Sequence, residues 1–109
     1  MAFDEGLAHR IREIMQDRQD VSERRMFGGL AFLVNGNMAV GVVKDELMVR
    51  VGPDDYESAL GQPHAREMDF TGRALRGFVY VDEAGISEDE DLSTWVDRAI
   101  SFAESLPRK

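Results

Sequence analysis

Apolar residues recur at two spacings along this chain, and the switch between them predicts the order of elements. Phe3, Leu7, Ile11, Ile14 and Met15 fall three and four apart, so they share one helix face, with Arg10, Arg12, Glu13, Asp17 and Arg18 largely off it. That spacing predicts a helix over roughly residues 3–19, with Asp4 and Glu5 at the positive end of its dipole. Asp20-Val21-Ser22 breaks the pattern. Residues 24–34, RRMFGGLAFLV, read as extended, with Gly28-Gly29 marking a bulge or a close backbone approach. Asn35-Gly36 is the dipeptide best suited to a type I′ turn, in which both central residues need positive φ. Residues 37–43 supply the return strand, and after the polar Lys44-Asp45-Glu46 a third short strand covers Leu47 to Val51.

Gly52-Pro53-Asp54-Asp55 starts a short helix over about residues 53–60, ended by Gly61. Residues 62–67 read as loop, Met68 to Phe70 as extended, Thr71-Gly72 as a turn, and Gly77 to Val81 as the last strand. After a turn at Asp82 to Gly85, Ser87 with Glu90 fits a capping box. Leu92, Trp95, Val96, Ala99, Ile100, Ala103 and Leu106 then form an apolar stripe on a helix reaching about Ser105. The expected order is α-β-β-β-α-β-β-α. Successive strands joined by tight turns pair antiparallel. The expectation is thus a two-layer α+β domain, a mostly antiparallel sheet with the N- and C-terminal helices on one face. The other face is polar or meets another subunit. No linker, repeat or low-complexity segment divides residues 1–109, so a single domain is expected. At this size a homodimer is a sensible expectation.

Charge narrows the partners. The formal charge is 13 − 21 = −8, and residues 82–109 carry 3 basic and 8 acidic groups, net −5. No segment is basic, which disfavours direct nucleic-acid binding, since that needs a cationic face. The N-terminus lacks a cationic flank and an apolar h-region, and no apolar run approaches a bilayer span, so a cytoplasmic location without membrane contact is expected.

Most catalytic chemistries lack their residues. There is no Cys, which excludes disulfides, thiolate metal sites and cysteine nucleophiles. His9 and His64 have no partner at ligand spacing. The acids at 82–91 lack the alternation of a calcium loop and suit a helix N-terminus. Gly28-Gly29 lacks a phosphate-loop context, no Ser sits in a nucleophile elbow, and Lys occurs only at 44 and 109. Neither a cofactor nor a metal is expected. Arginine is more suggestive: Arg24, Arg25, Arg50, Arg66, Arg73 and Arg76 either pair with the surplus carboxylates or bind a partner. Arg73 and Arg76 flank a turn beside Phe70 and Phe78, a composition suited to an interaction surface. Arg25, Phe27, Arg73 and Arg76 are the candidate contact residues.

RRMFGGLAFLVNGNMAVGV, then LMVRVGP, then MDFTGRALRGFVYV, in that order, resemble the N-terminal domain of the TfoX/Sxy family. The Leu92, Trp95 and Val96 pattern of the last helix fits as well. The resemblance covers nearly the whole chain. It implies an α+β fold like that of secretion chaperones, a tendency to dimerise, and no established catalytic residues. The family's namesakes regulate natural competence, acting with the cAMP receptor protein, and carry a second, C-terminal domain. The chain ends at Lys109, so a stand-alone N-terminal domain is expected. The functional expectation is a non-enzymatic protein-interaction module, a co-regulator of transcription that works through a partner such as a transcription factor. The rival is a small-ligand-binding or enzymatic domain that holds an anion in an Arg-lined pocket.

Overall fold

The computed structural model describes residues 3–26, 28–70 and 73–108, with the backbone alone at 69, 70 and 73–75. Its elements are α1 (Glu5–Ile14), β1 (Val21–Met26), β2 (Gly29–Val34), β3 (Asn37–Val43), β4 (Glu46–Arg50), α2 (Tyr56–Leu60), β5 (Ala65–Phe70), β6 (Arg73–Val81), a 3-10 turn (Glu83–Gly85) and α3 (Asp89–Ser105). The six strands form one antiparallel sheet in the order β1-β2-β3-β4-β6-β5. The expected order of helices and strands holds, with the first extended segment doubled back into two strands.

Glycine makes that doubling possible. Gly28 has φ 72° and turns the chain between Met26 and Gly29, which pair across the hairpin. The expected bulge at this dipeptide is therefore a turn, because the left-handed backbone at Gly28 reverses the chain. The close approach lies one residue on: a Cβ at Gly29 would stand 2.0 Å from the Val42 carbonyl oxygen. The next hairpin is as expected, with Asn35 at φ 54° and Gly36 at φ 83°.

Other boundaries moved for local reasons. Helix α1 spans Glu5–Ile14, not 3–19, because the Asp4 carboxylate caps it by accepting from the Gly6 and Leu7 N–H groups. Phe3 lies outside, in a parallel bridge to Lys44. Helix α3 is capped at Glu88 without a side-chain hydrogen bond, and Ser87 donates instead to the Ala84 carbonyl. The capping box is thus not formed, since Ser87 closes the preceding 3-10 turn. Strand β5 begins at Ala65, inside the expected loop, because its register with Val81 and Tyr80 starts there. The expected turn at Thr71-Gly72 lies outside the described residues.

One cluster holds the layers together. Leu7, Ala8 and Ile11 of α1, Tyr56 and Ala59 of α2, and Leu92, Trp95, Val96 and Ala99 of α3 pack with Phe32, Val40, Val42, Leu47, Val49, Val79 and Val81 of the sheet. These strand residues alternate along their strands, so they share one sheet face. A register shift at Phe32/Leu33 brings Ala39 to the same cluster as Val40. Every buried helix residue thus faces one side of the sheet. On the opposite side Ala31, Leu33, Met48 and Met68 are buried outside this cluster.

The far end of α3 is fixed by backbone shape. Gly52 has φ 86°, and a Cβ there would stand 2.4 Å from the Phe102 ring. Phe102 thus seats on a bare backbone that only glycine leaves open. Gly52→Ala should therefore destabilise the domain by about 2–4 kcal/mol, combining left-handed strain with the clash. Equilibrium denaturant unfolding checks this; a change under about 0.5 kcal/mol would show that α3 is not seated there.

Candidate functional site

The open sheet face carries one row of side chains that the strand register assembles. Arg24 pairs with Ala31, Ala31 with Gly41, Gly41 with Met48, Met48 with Tyr80, and Tyr80 with Arg66. The row crosses all six strands, about 24 Å at the usual inter-strand spacing. Its centre is small and apolar. Gly41 leaves room for the Met48 side chain, whose methyl would stand 2.8 Å from a Cβ placed there. Met48 is thereby folded down onto the sheet and is 1% exposed. Leu33 and Met38 pair in the neighbouring row, and the half-buried Met38 adds to the apolar surface.

An arginine stands at each end of the row, and the one on β5 is paired with a carboxylate. Arg24 is exposed on the edge strand β1. At the other end the Arg66 guanidinium stacks on Tyr80 at 4.8 Å and donates to the Glu46 carboxylate. Burial pushes the Tyr80 phenol above its ordinary pKa, and the Glu46 charge adds to this while Arg66 opposes it. Tyr80 is consequently a neutral hydrogen-bonding group at physiological pH.

The arginines singled out from the sequence do not form one surface. Arg25 lies on β1 opposite Leu30, on the helix side, with its guanidinium 5.8 Å from the Phe3 ring centre. Arg76 is exposed on β6 and sits 5.6 Å over the Tyr56 ring. Strands β1 and β6 are four places apart in the sheet, about 19 Å. Phe27 and the Arg73 side chain lie outside the described residues. Of the remaining arginines, Arg50 stands between the Phe78 and Phe102 rings at 5.6 and 5.3 Å. Arg24 and Arg66, read from the sequence as part of a general arginine set, are the pair that frames the open face.

In a second group, His64 was read from the sequence as lacking a ligand-spaced partner and Trp95 as core, while Arg98 went unremarked. Arg98 on α3 and His64 before β5 line a cavity on the helix side together with Trp95. The only advance signal was Arg98 standing three residues after Trp95, one helical turn along.

Ion pairs tie α1 to its neighbours. Arg12 grips Glu23 of β1 through two hydrogen bonds of 2.7 and 2.8 Å. Arg18 bonds both Asp20 and Glu104 of α3, each at 2.8 Å. Arg10 reaches Asp89 at the start of α3 at 3.0 Å. The Arg12 guanidinium holds the Glu23 carboxyl below its ordinary value, and Arg18 does the same to Asp20. Among the described residues, no group of three His, Cys, Asp or Glu is placed to hold a metal ion. No helix among them is long and apolar enough to cross a membrane.

A two-layer α+β domain, with helices on one face of an antiparallel sheet and an arginine-framed row on the other, is the class this architecture defines. Within that class the chain belongs to the TfoX N-terminal domain family, whose model matches residues 13–103 of the 109. Comparison with curated proteins returns no match, and neither does comparison with solved structures.

The depressed Asp20 and Glu23 carboxyls set a pH dependence. Their folded-state pKa values lie below the unfolded ones, so the stability they contribute is present above the ordinary carboxylate range. It is lost as pH falls through the folded values. Thermal unfolding should therefore hold steady above about pH 5 and weaken toward about pH 3. An Asp20→Asn/Glu23→Gln variant should lose part of that acid sensitivity. An identical slope in the variant would show that these pairs do not couple to folding.

Proposed function

We propose that this domain is a non-enzymatic protein-interaction module, and that its open sheet face docks an acidic, apolar segment of a partner protein. The observation that carries this reading is the row from Arg24 to Tyr80 and Arg66, whose accessible groups, with the half-buried Met38 and Val43 beside them, surround a buried centre of Ala31, Gly41 and Met48. Arginine, methionine and tyrosine are enriched at protein interfaces, where lysine and acids are depleted. Arg24 at one end of the row offers an exposed cation to a partner carboxylate at contact, while at the other end Glu46 already pairs with Arg66. Membership of the TfoX N-terminal domain family supports the finer reading, a co-regulator of transcription working through such contacts.

The same row disfavours a second copy on this face. Any two-fold stacking of row on row sets arginine against arginine, either Arg24 on Arg24 or Arg24 on Arg66. Glu46 offsets only one of these charges.

A synthetic helical peptide with glutamates at both ends and leucines between them is the direct probe. Titrated into the labelled chain, it should perturb the amides of β2, β3 and β4 around Ala31, Gly41 and Met48. Arg24→Glu should weaken binding about tenfold, and added salt should weaken it further. Perturbations confined to α1 and α3, or none, would overturn the reading. A dimer in sedimentation that shields Met38 and Tyr80 would replace the acidic partner with a second copy.

A further inference from the structure

On the helix side of the sheet, a cavity of about 270 Å³ opens between the loop after α2, the 3-10 turn and the first half of α3. It lies on the opposite side from the open face and owes nothing to the docking reading. Trp95, Pro63 and Ala84 give it apolar wall, and His64, Thr94 and Arg98 give it polar atoms. The volume is just below the range of about 300–1,000 Å³ typical of sites for drug-sized ligands, so a ligand of small-metabolite size fits.

Arg98 is the unusual member. Its guanidinium lies over the Trp95 ring at 5.2 Å. Nη2 donates to the Ser58 hydroxyl at 3.3 Å, and Nε stands 3.8 Å from the Asp55 carboxylate. Nη1 is buried and meets no acceptor among the described residues. A charged donor withdrawn from water without an acceptor is costly, so this one favours any anion brought to it. The Asp55 carboxylate reaches Nε at 3.8 Å and leaves Nη1 without an acceptor.

The opposite wall is held in an uncommon backbone state. His64 has φ 70°, in the left-handed region that is uncommon for residues other than glycine, though histidine enters it more readily than most. It is kept there by the Asp82 N–H donating to its carbonyl at 3.1 Å and by Asp82 Oδ1 standing 3.3 Å from its Nδ1. Gly85 packs beneath it, where a Cβ would stand 2.7 Å from that of His64. Strained residues of this kind gather at binding sites, where the surrounding structure holds them in place.

We propose that this cavity binds a small organic monocarboxylate with a compact apolar body. The carboxylate pairs with Arg98, and the body rests on Trp95 and Pro63. Asp91, on the same wall, repels a second negative charge and so selects a monoanion over a phosphate dianion.

Trp95 is the sole tryptophan of the chain, so its emission reports the cavity directly. The test titrates the whole chain with cyclohexanecarboxylate, and separately with inorganic phosphate, at matched ionic strength. Cyclohexanecarboxylate should change Trp95 emission saturably and raise Tm by a few degrees. Phosphate should do neither. Arg98→Met should weaken the response about tenfold or more. Should that variant fail to fold, Ala84→Phe decides: it keeps Arg98, fills the cavity, and should abolish the response. No saturable change in the natural chain, an equal response to phosphate, or an undiminished response in Ala84→Phe would each overturn the proposal.

Discussion

A single layer of helices covers only one face of a six-stranded sheet, and the rest of the molecule follows from that limit. The stripe of α3 lies across β2, β3 and β4, and α1 packs beside it, so one cluster absorbs the buried residues of every helix. Burying an apolar side chain in such a cluster contributes about 1.5–3 kcal/mol, which makes this cluster the main source of stability. No helix packs on the opposite face among the described residues, although Ala31, Leu33, Met48 and Met68 there are nearly inaccessible to solvent. That face reduces its own exposure instead, with Met48 folded over Gly41 and Arg66 stacked on Tyr80.

Helix α3 serves both the core and the cavity. Its buried face closes the core, while its margins reach the cavity through Arg98 and the base of the sheet through Phe102. Three arginines of the N-terminal region, Arg10, Arg12 and Arg18, hold α1 against α3 and β1. Such exposed pairs contribute little energy individually. They add specific tethers between α1, β1 and α3 to the apolar contacts that cover the core.

Periodicity made much of this legible. The stripe from Leu92 to Ala103 and the Asn35-Gly36 turn depend on neighbours a few residues apart, and both appear as the sequence implies. What was hidden depends on distant partners. Gly28-Gly29 signalled a bulge or a close backbone approach, and only the pairing of Met26 with Gly29 shows that Gly28 makes a turn. The capping box at Ser87 matched its motif, yet the hydroxyl found a nearer acceptor in the preceding turn. The candidate arginines were grouped by neighbourhood in sequence, whereas the sheet order separates Arg25 from Arg76 and joins Arg24 to Arg66 in one row. That row spans five strand pairings, so no local pattern could announce it. Arg98 was passed over because it sits on a helix already assigned to the core, at its solvent margin.

Attenuation of methyl signals by a soluble paramagnetic probe tests the one-sided cover most directly. Met38 and Val43 point to the open face, and Val40 and Val42 to the helices. Strong attenuation at Met38 and Val43, with Val40 and Val42 spared at every dilution, is the predicted result. Equal protection of all four in the dilute chain would mean that a second layer covers the sheet, and would contradict the account.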